Sequence, residues 1–168
     1  MKCCSLFLLY SAVIVLAFSS VELNAKTLPF TALKKISSIK AKPTEYRSEL
    51  ATIALVYQPD CSWCKKQGQW LAKVQQQCAN QVNLALIGNK GSKRQLKREL
   101  QHFDRRLPAY LANKAFLRSI GGVAASPTTL FFDKEGKLLA KKRGFIEPKQ
   151  FINAVATISQ QGCHIRAA

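Results

Sequence analysis

The chain has 168 residues and is strongly basic, with 26 lysines and arginines, nine acidic residues and a formal net charge of +17. Its length and its 48% hydrophobic content suffice for one compact domain with a substantial core. Such an excess of positive charge raises the question of nucleic-acid binding. No aromatic residues interleave with the densest basic cluster, as a single-strand binding groove requires. We therefore expect a basic, solvated surface and no nucleic-acid partner.

The first 25 residues have the pattern of a secretory signal peptide. Lys2 gives the segment a positively charged N-terminal region. The apolar run over 6–18 is shorter than the ~20 residues that a membrane-spanning helix needs. Ala25 closes a small-residue cleavage site. We expect cleavage after Ala25 and export to the periplasm; an uncleaved membrane anchor is the alternative.

Residues 26–50 are interpreted as an N-terminal extension. The spacing of Phe30, Leu33 and Ile36 predicts a short amphipathic helix over 29–38. The polar stretch that follows it predicts irregular chain as far as the main domain, which we place at 51–160, with a tail at 161–168.

The first half of this domain reads as strand, helix and strand. The apolar run Thr52–Tyr57 predicts a buried strand, and the helix from Cys61 carries Leu71 and Val74 on one face. A second strand is predicted over 82–87. Ser92 is placed to cap the helix that follows.

The second half begins with a basic helix. Lysines and arginines from 90 to 106 line one of its sides, and Leu96, Leu100, Phe103 and Leu107 line the other. Further helical sequence runs over 109–120. Two strands, at Thr128–Phe132 and 137–143, are joined by a four-residue hairpin loop, and Pro148 opens a last helix.

The motif Cys61-Ser62-Trp63-Cys64 follows the first strand directly. A thiol at a helix N-terminus is favoured as thiolate by the unpaired N–H groups and the helix dipole, and a second thiol one turn later can close a disulfide with it. The same spacing occurs in zinc sites and haem attachment sequences. Haem attachment requires His where this chain has Lys65.

This order of elements, over about 51–159, resembles the thioredoxin superfamily. A second motif supports the resemblance: the small residues from Gly121 to Ser126 are followed by Pro127 and an apolar strand. The resemblance implies an α/β three-layer sandwich, with a mixed sheet of four to five strands and helices on both faces. It also implies that the peptide bond before Pro127 is cis and that the backbone of Ser126 binds the substrate.

Several residues depart from thioredoxin itself. Asp60 precedes the first cysteine, where its carboxylate disfavours a thiolate unless it caps the helix. Leu55 stands where thioredoxin keeps a buried acid. Trp63, before the second cysteine, is more like the exported disulfide-interchange (Dsb-type) proteins, and it either contacts substrate or packs on the surface. Residues 26–50 are too few for the dimerisation domain of the exported isomerases, so the chain resembles stand-alone members encoded with conjugation or secretion systems.

Four cysteines remain after the expected cleavage, an even number that suggests two disulfides in an oxidising compartment. In the fold implied by the resemblance, the first redox helix and the closing helix pack on the same side of the sheet. That arrangement would bring Cys78 close to Cys163 as a structural disulfide; a buried free thiol at Cys78 is the alternative.

The sequence thus predicts an exported thiol–disulfide oxidoreductase, with Cys61 as nucleophile, helped by Lys65 and Lys66, and Cys64 as resolving thiol. We expect it to act on exported cysteine-containing proteins and to exchange electrons with a membrane or periplasmic redox partner, without a cofactor or metal. One alternative is a metal-binding C-x-x-C module, although a closed zinc site needs four ligands. The other is a non-catalytic assembly or chaperone protein with this fold.

Overall fold

The computed structural model describes residues 33–36 and 46–166. The predicted signal peptide lies outside these residues. No helix in the described ranges combines the length and the apolar character needed to cross a bilayer.

The described chain forms five strands and four α-helices. In chain order they are β1 (Thr52–Tyr57), α1 (Ser62–Cys78), β2 (Asn83–Gly88), α2 (Lys93–Glu99), β3 (Ala109–Leu111), α3 (Lys114–Ser119), β4 (Thr128–Phe132), β5 (Leu138–Arg143) and α4 (Pro148–Ile158). A single 3-10 turn, Leu100–His102, follows α2.

The strands form one mixed sheet in the order β3-β2-β1-β4-β5. β1 pairs in parallel with β2 and antiparallel with β4, and all residues of these three strands are buried. Burial on both faces explains why their sequences are continuous apolar runs rather than alternating ones. The predicted α/β fold with a four- to five-stranded mixed sheet is confirmed.

Two hydrophobic clusters lie on opposite faces of the sheet. One joins α1, α2 and α4 through Leu71, Leu96 and Phe151, and the other joins α3 to the sheet through Phe116. α1 lies so close to Phe103 that a Cβ on Gly68 would collide with the phenylalanine ring. Close packing against Phe103 therefore holds α1 at Gly68.

Two segments that were predicted to be helical are extended. Residues 33–36 run alongside β3. Lys35 forms an isolated antiparallel β-bridge with Tyr110, and the amide of Ile36 donates a hydrogen bond to the carbonyl of Ala109 (2.8 Å). The predicted helix 29–38 is thus wrong across its described residues. Ala109–Leu111 is a strand rather than the start of a helix, because its backbone pairs with β2.

The basic helix is also shorter than predicted. Ser92 caps it as expected, in a reciprocal capping box with Gln95, but α2 ends at Glu99. Phe103 and Leu107 lie beyond it and are still buried, because the chain turns and keeps them on the core.

A disulfide joins Cys78, at the end of α1, to Cys163, after α4. This is the pairing that the resemblance implies. Both residues are buried and belong to the cluster between the sheet and the two helices. The bridge spans 85 positions of sequence, so it restricts the unfolded chain strongly.

Replacing both cysteines, as Cys78→Ala with Cys163→Ala, should lower the free energy of unfolding by about 4–5 kcal/mol in the chain-entropy model. Urea unfolding of the oxidised protein measures this loss. Cys78→Ser with Cys163→Ser serves as the matched control for side-chain volume. A loss below about 1 kcal/mol would mean that the bridge does not constrain the unfolded chain.

Candidate functional site

The pairing of β1 with β4 determines the position of the candidate site. Val56, near the end of β1, lies opposite Thr128, the first residue of β4. The loop that leaves β1 toward Cys61 and the loop that enters β4 through Pro127 therefore lie at the same end of the sheet.

Cys61 and Cys64 form a disulfide at the start of α1. Cys61 is the N-cap residue, and its Sγ accepts a hydrogen bond from the amide of Cys64 (3.1 Å). Cys61 is 9% exposed and Cys64 is 1% exposed. Both cysteines are thus largely buried, and Cys61 is the more accessible of the two because it stands at the helix N-terminus, among N–H groups that have no helical partner.

Asp60 adopts a left-handed backbone conformation, with φ of 57°. Because Cys61 itself occupies the N-cap position, the side chain of Asp60 does not cap α1. The tight turn at Asp60 carries the chain from β1 into the helix.

The peptide bond between Ser126 and Pro127 is cis. The hydroxyl of Thr128 donates to the carbonyl of Ala125 (2.6 Å), and the amide of Gly144 donates to the carbonyl of Pro127 (2.8 Å). The hydroxyl of Ser126 is buried and has no hydrogen-bond partner within the described part of the chain. Its hydrogen-bonding capacity is therefore unused at this end of the sheet.

Trp63 is 52% exposed and lies beside the redox pair. Its ring centroid is 5.4 Å from that of Phe145, and the ammonium of Lys66 lies 4.3 Å above it. Trp63 and Phe145 thus form an aromatic contact, and the ammonium of Lys66 lies over the Trp63 ring. The contribution of Phe145 was not apparent from the sequence, because it follows β5 and is far from Trp63 along the chain.

Lys65 forms an ion pair with Glu99 of α2, with Nζ 3.8 Å from a carboxylate oxygen. Glu99 is only 5% exposed. The burial of Tyr57 itself, and next the negative charge of Glu99, raise the pKa of Tyr57 well above its ordinary value. Tyr57 therefore stays neutral and donates to the carbonyl of Leu96 (3.1 Å). The charge of Lys65, expected to favour a Cys61 thiolate, is partly offset by this carboxylate. Leu55, in the position of thioredoxin's acid, is fully buried.

Gln67 connects α1 to the loop before α4. Its side-chain oxygen accepts from the amide of Ile146 (2.8 Å), and the glutamine is fully buried. This bond holds the Phe145 segment against the redox helix.

Among the described residues, no group of three or more His, Cys, Asp or Glu side chains could hold a metal ion.

A cavity of about 720 Å³ lies between β5 and α4. Phe131, Leu139 and Ile158 contribute to its wall, and neither the redox cysteines nor Pro127 does. It is therefore separate from the candidate site.

The sheet order, the C-x-x-C disulfide at a helix N-terminus and the cis proline before β4 define a thioredoxin fold. The chain belongs to the thioredoxin-like domain family, whose model matches residues 39–159. No curated protein matches the sequence.

Solved structures with this fold include several thiol–disulfide proteins. The exposed lipoprotein thioredoxin of Streptococcus pneumoniae is 20% identical, with a TM-score of 0.59 over 75% of this chain and 99% of that one. A thiol-disulfide isomerase of Corynebacterium glutamicum is 12% identical, with a TM-score of 0.59 over 79% and 96%. A thiol:disulfide interchange protein of Chlorobium tepidum is 18% identical, with a TM-score of 0.59 over 67% and 81%.

In the reduced protein, limiting iodoacetamide should alkylate Cys61 about tenfold faster than Cys64, because the first thiol is the more accessible of the two and stands at the helix N-terminus. Peptide mass mapping after a short exposure measures the order. Cys61→Ala is the control, in which early labelling should disappear. Preferential labelling of Cys64 would reverse the assignment of the two thiols.

Proposed function

We propose that this chain is an exported thiol–disulfide oxidoreductase that exchanges disulfides with cysteines of exported proteins. The observation that carries the proposal is the Cys61–Cys64 disulfide at the N-terminus of α1, in which Cys61 is the more accessible residue and Cys64 lies deeper in the core. The cis Ser126–Pro127 bond at the same end of the sheet supports it, as does the family to which the chain belongs.

In the reducing direction, the Cys61 thiolate attacks one sulfur of a substrate disulfide. A new bond forms between Cys61 and that sulfur, and the second substrate sulfur leaves as a thiolate and takes up a proton. Cys64 then loses its proton and attacks the sulfur of Cys61. This step closes the Cys61–Cys64 disulfide and releases the first substrate thiol.

The substrate has then gained two electrons and two protons, and the redox pair has lost them. A dithiol partner must reduce Cys61–Cys64 before the next cycle, and in the oxidising direction every step runs in reverse. The residues of this chain contribute in three ways. The N-terminal amides of α1 stabilise the Cys61 thiolate, the protein core buries Cys64, and Ser126 and Pro127 present an extended backbone to the substrate.

An extracytoplasmic location is part of the proposal. It is supported by the signal-like sequence of residues 1–25 and by the structural neighbours, one of which is an exposed lipoprotein thioredoxin. The buried disulfide Cys78–Cys163 also fits a compartment in which thiols are oxidised.

A non-catalytic protein that binds peptides through this fold is the second candidate. The exposed surface of Trp63, Phe145 and Lys66 favours it, because such a surface could hold a peptide without any redox step. A binding protein of this kind would not require Cys61, and this difference separates the two functions.

Reduction of insulin disulfides by dithiothreitol should be accelerated by the wild-type protein, and Cys61→Ala should lower the accelerated rate at least about a hundredfold because it lacks the nucleophile. Cys78→Ala with Cys163→Ala is the matched control and should retain turnover while folded. Equal rates for the wild type and Cys61→Ala would favour the binding function. The reduction potential of Cys61–Cys64 against glutathione then assigns the direction of electron flow.

Cys64→Ala should accumulate mixed disulfides with exported proteins, because the covalent intermediate loses its intramolecular resolving thiol. Cys61→Ala should accumulate none. Non-reducing gels of protein expressed with its leader measure the adducts, and dithiothreitol should remove them. Absence of adducts on Cys64→Ala, under conditions in which the wild type turns over, would contradict the two-step mechanism.

A further inference from the structure

Lys141 of β5 reaches across the sheet face to the end of α3. Its ammonium donates to three carbonyl oxygens, those of Ile120 (2.7 Å), Gly121 (3.1 Å) and Gly122 (3.1 Å). Carbonyls at the C-terminal end of a helix lack intrahelical partners, and a cation there is favoured by the helix dipole. A single lysine thus binds the whole turn that ends α3.

This turn is the start of the loop that leads to the cis proline. Gly121 and Gly122 have φ of 69° and 73°, a left-handed conformation that turns the chain away from α3. The other end of the loop is held at Ala125 by Thr128 and at Pro127 by the amide of Gly144. Lys141 lies in β5 and Gly144 directly follows it. This part of the chain therefore holds both the start and the end of the loop.

We propose that Lys141 is a positioning residue that fixes the segment from Gly121 to Ser126 and so raises the affinity of the cis-proline site for substrate. This inference rests on the proposed function, in which Ser126 and Pro127 contact the substrate backbone. Without the ammonium, three adjacent carbonyls lose a shared donor and the loop samples more conformations. Binding must then order the loop, and that cost weakens substrate affinity.

Lys142 provides a matched control within the same strand. It is exposed and lines the cavity between β5 and α4, on the other side of the sheet from α3. Lys142→Met removes the same charge and the same ammonium as Lys141→Met but leaves the loop untouched. A general effect of positive charge on substrate binding would appear in both variants.

The test is insulin reduction by dithiothreitol at increasing insulin concentration, with the full chain. Lys141→Met should raise KM about fivefold and leave kcat within about twofold, because binding is weakened but the chemical step is not. Lys142→Met should match the wild type. The rate at which iodoacetamide alkylates Cys61 in the reduced protein should be the same in all three, because that reaction does not use the loop.

Lys141→Gln and Lys141→Arg keep a donor at this position and provide the second measurement. Both should give KM values between those of the wild type and Lys141→Met. Values of KM within about twofold of the wild type for both Lys141→Met and Lys141→Gln would overturn the inference, as would an equal increase in Lys142→Met. A wild type without turnover would instead contradict the proposed function, so the two failures are distinguishable.

Discussion

The antiparallel pairing of β1 with β4 is the constraint on which the candidate site depends. A short loop follows β1 and leads to Cys61, and another short loop, which contains Pro127, precedes β4. With Val56 opposite Thr128, the two loops meet at one end of the sheet. A shift of the register by one residue would turn the buried side chains of β4 to the opposite face and separate the loops. The packing of the core therefore also sets the geometry of the site.

The electrostatics around the redox helix come from several elements. Amide groups at the start of α1 favour a negative sulfur, and Lys65 adds a positive charge directly after Cys64. Glu99 of α2 opposes Lys65 from a buried position. This ion pair stabilises the fold less than its Coulomb energy suggests, because burial costs Glu99 its hydration while water still screens the partly exposed Lys65. The Lys65–Glu99 pair also affects the site directly. Because it joins α1 to α2, the electrostatic field at Cys61 and Cys64 depends on how α2 packs against α1.

The sequence predicted the elements that are defined by local pattern. β1 and β4 have their predicted bounds because each is a continuous apolar run, and the capping of α2 by Ser92 follows from its side chain. β3 was missed because its three residues become a strand only by pairing with β2. The contact of Phe145 with Trp63 and the reach of Lys141 to Ile120 likewise join residues that are remote in sequence. Neither the hydrophobic pattern nor secondary-structure propensity identifies contacts between residues that are distant in sequence.

The two outer strands of the sheet differ in what limits their pairing with another protein chain. Beside β3, the segment around Lys35 occupies hydrogen-bonding groups that would otherwise attract an extended chain. β5 lies at the opposite edge, where Lys142 and Arg143 are exposed and a register shift interrupts its ladder with β4 at Phe131 and Phe132. Like charges and irregular ladders both discourage strand-to-strand aggregation. The exposed basic side chains of β5 therefore disfavour the pairing of this edge with a strand of another molecule.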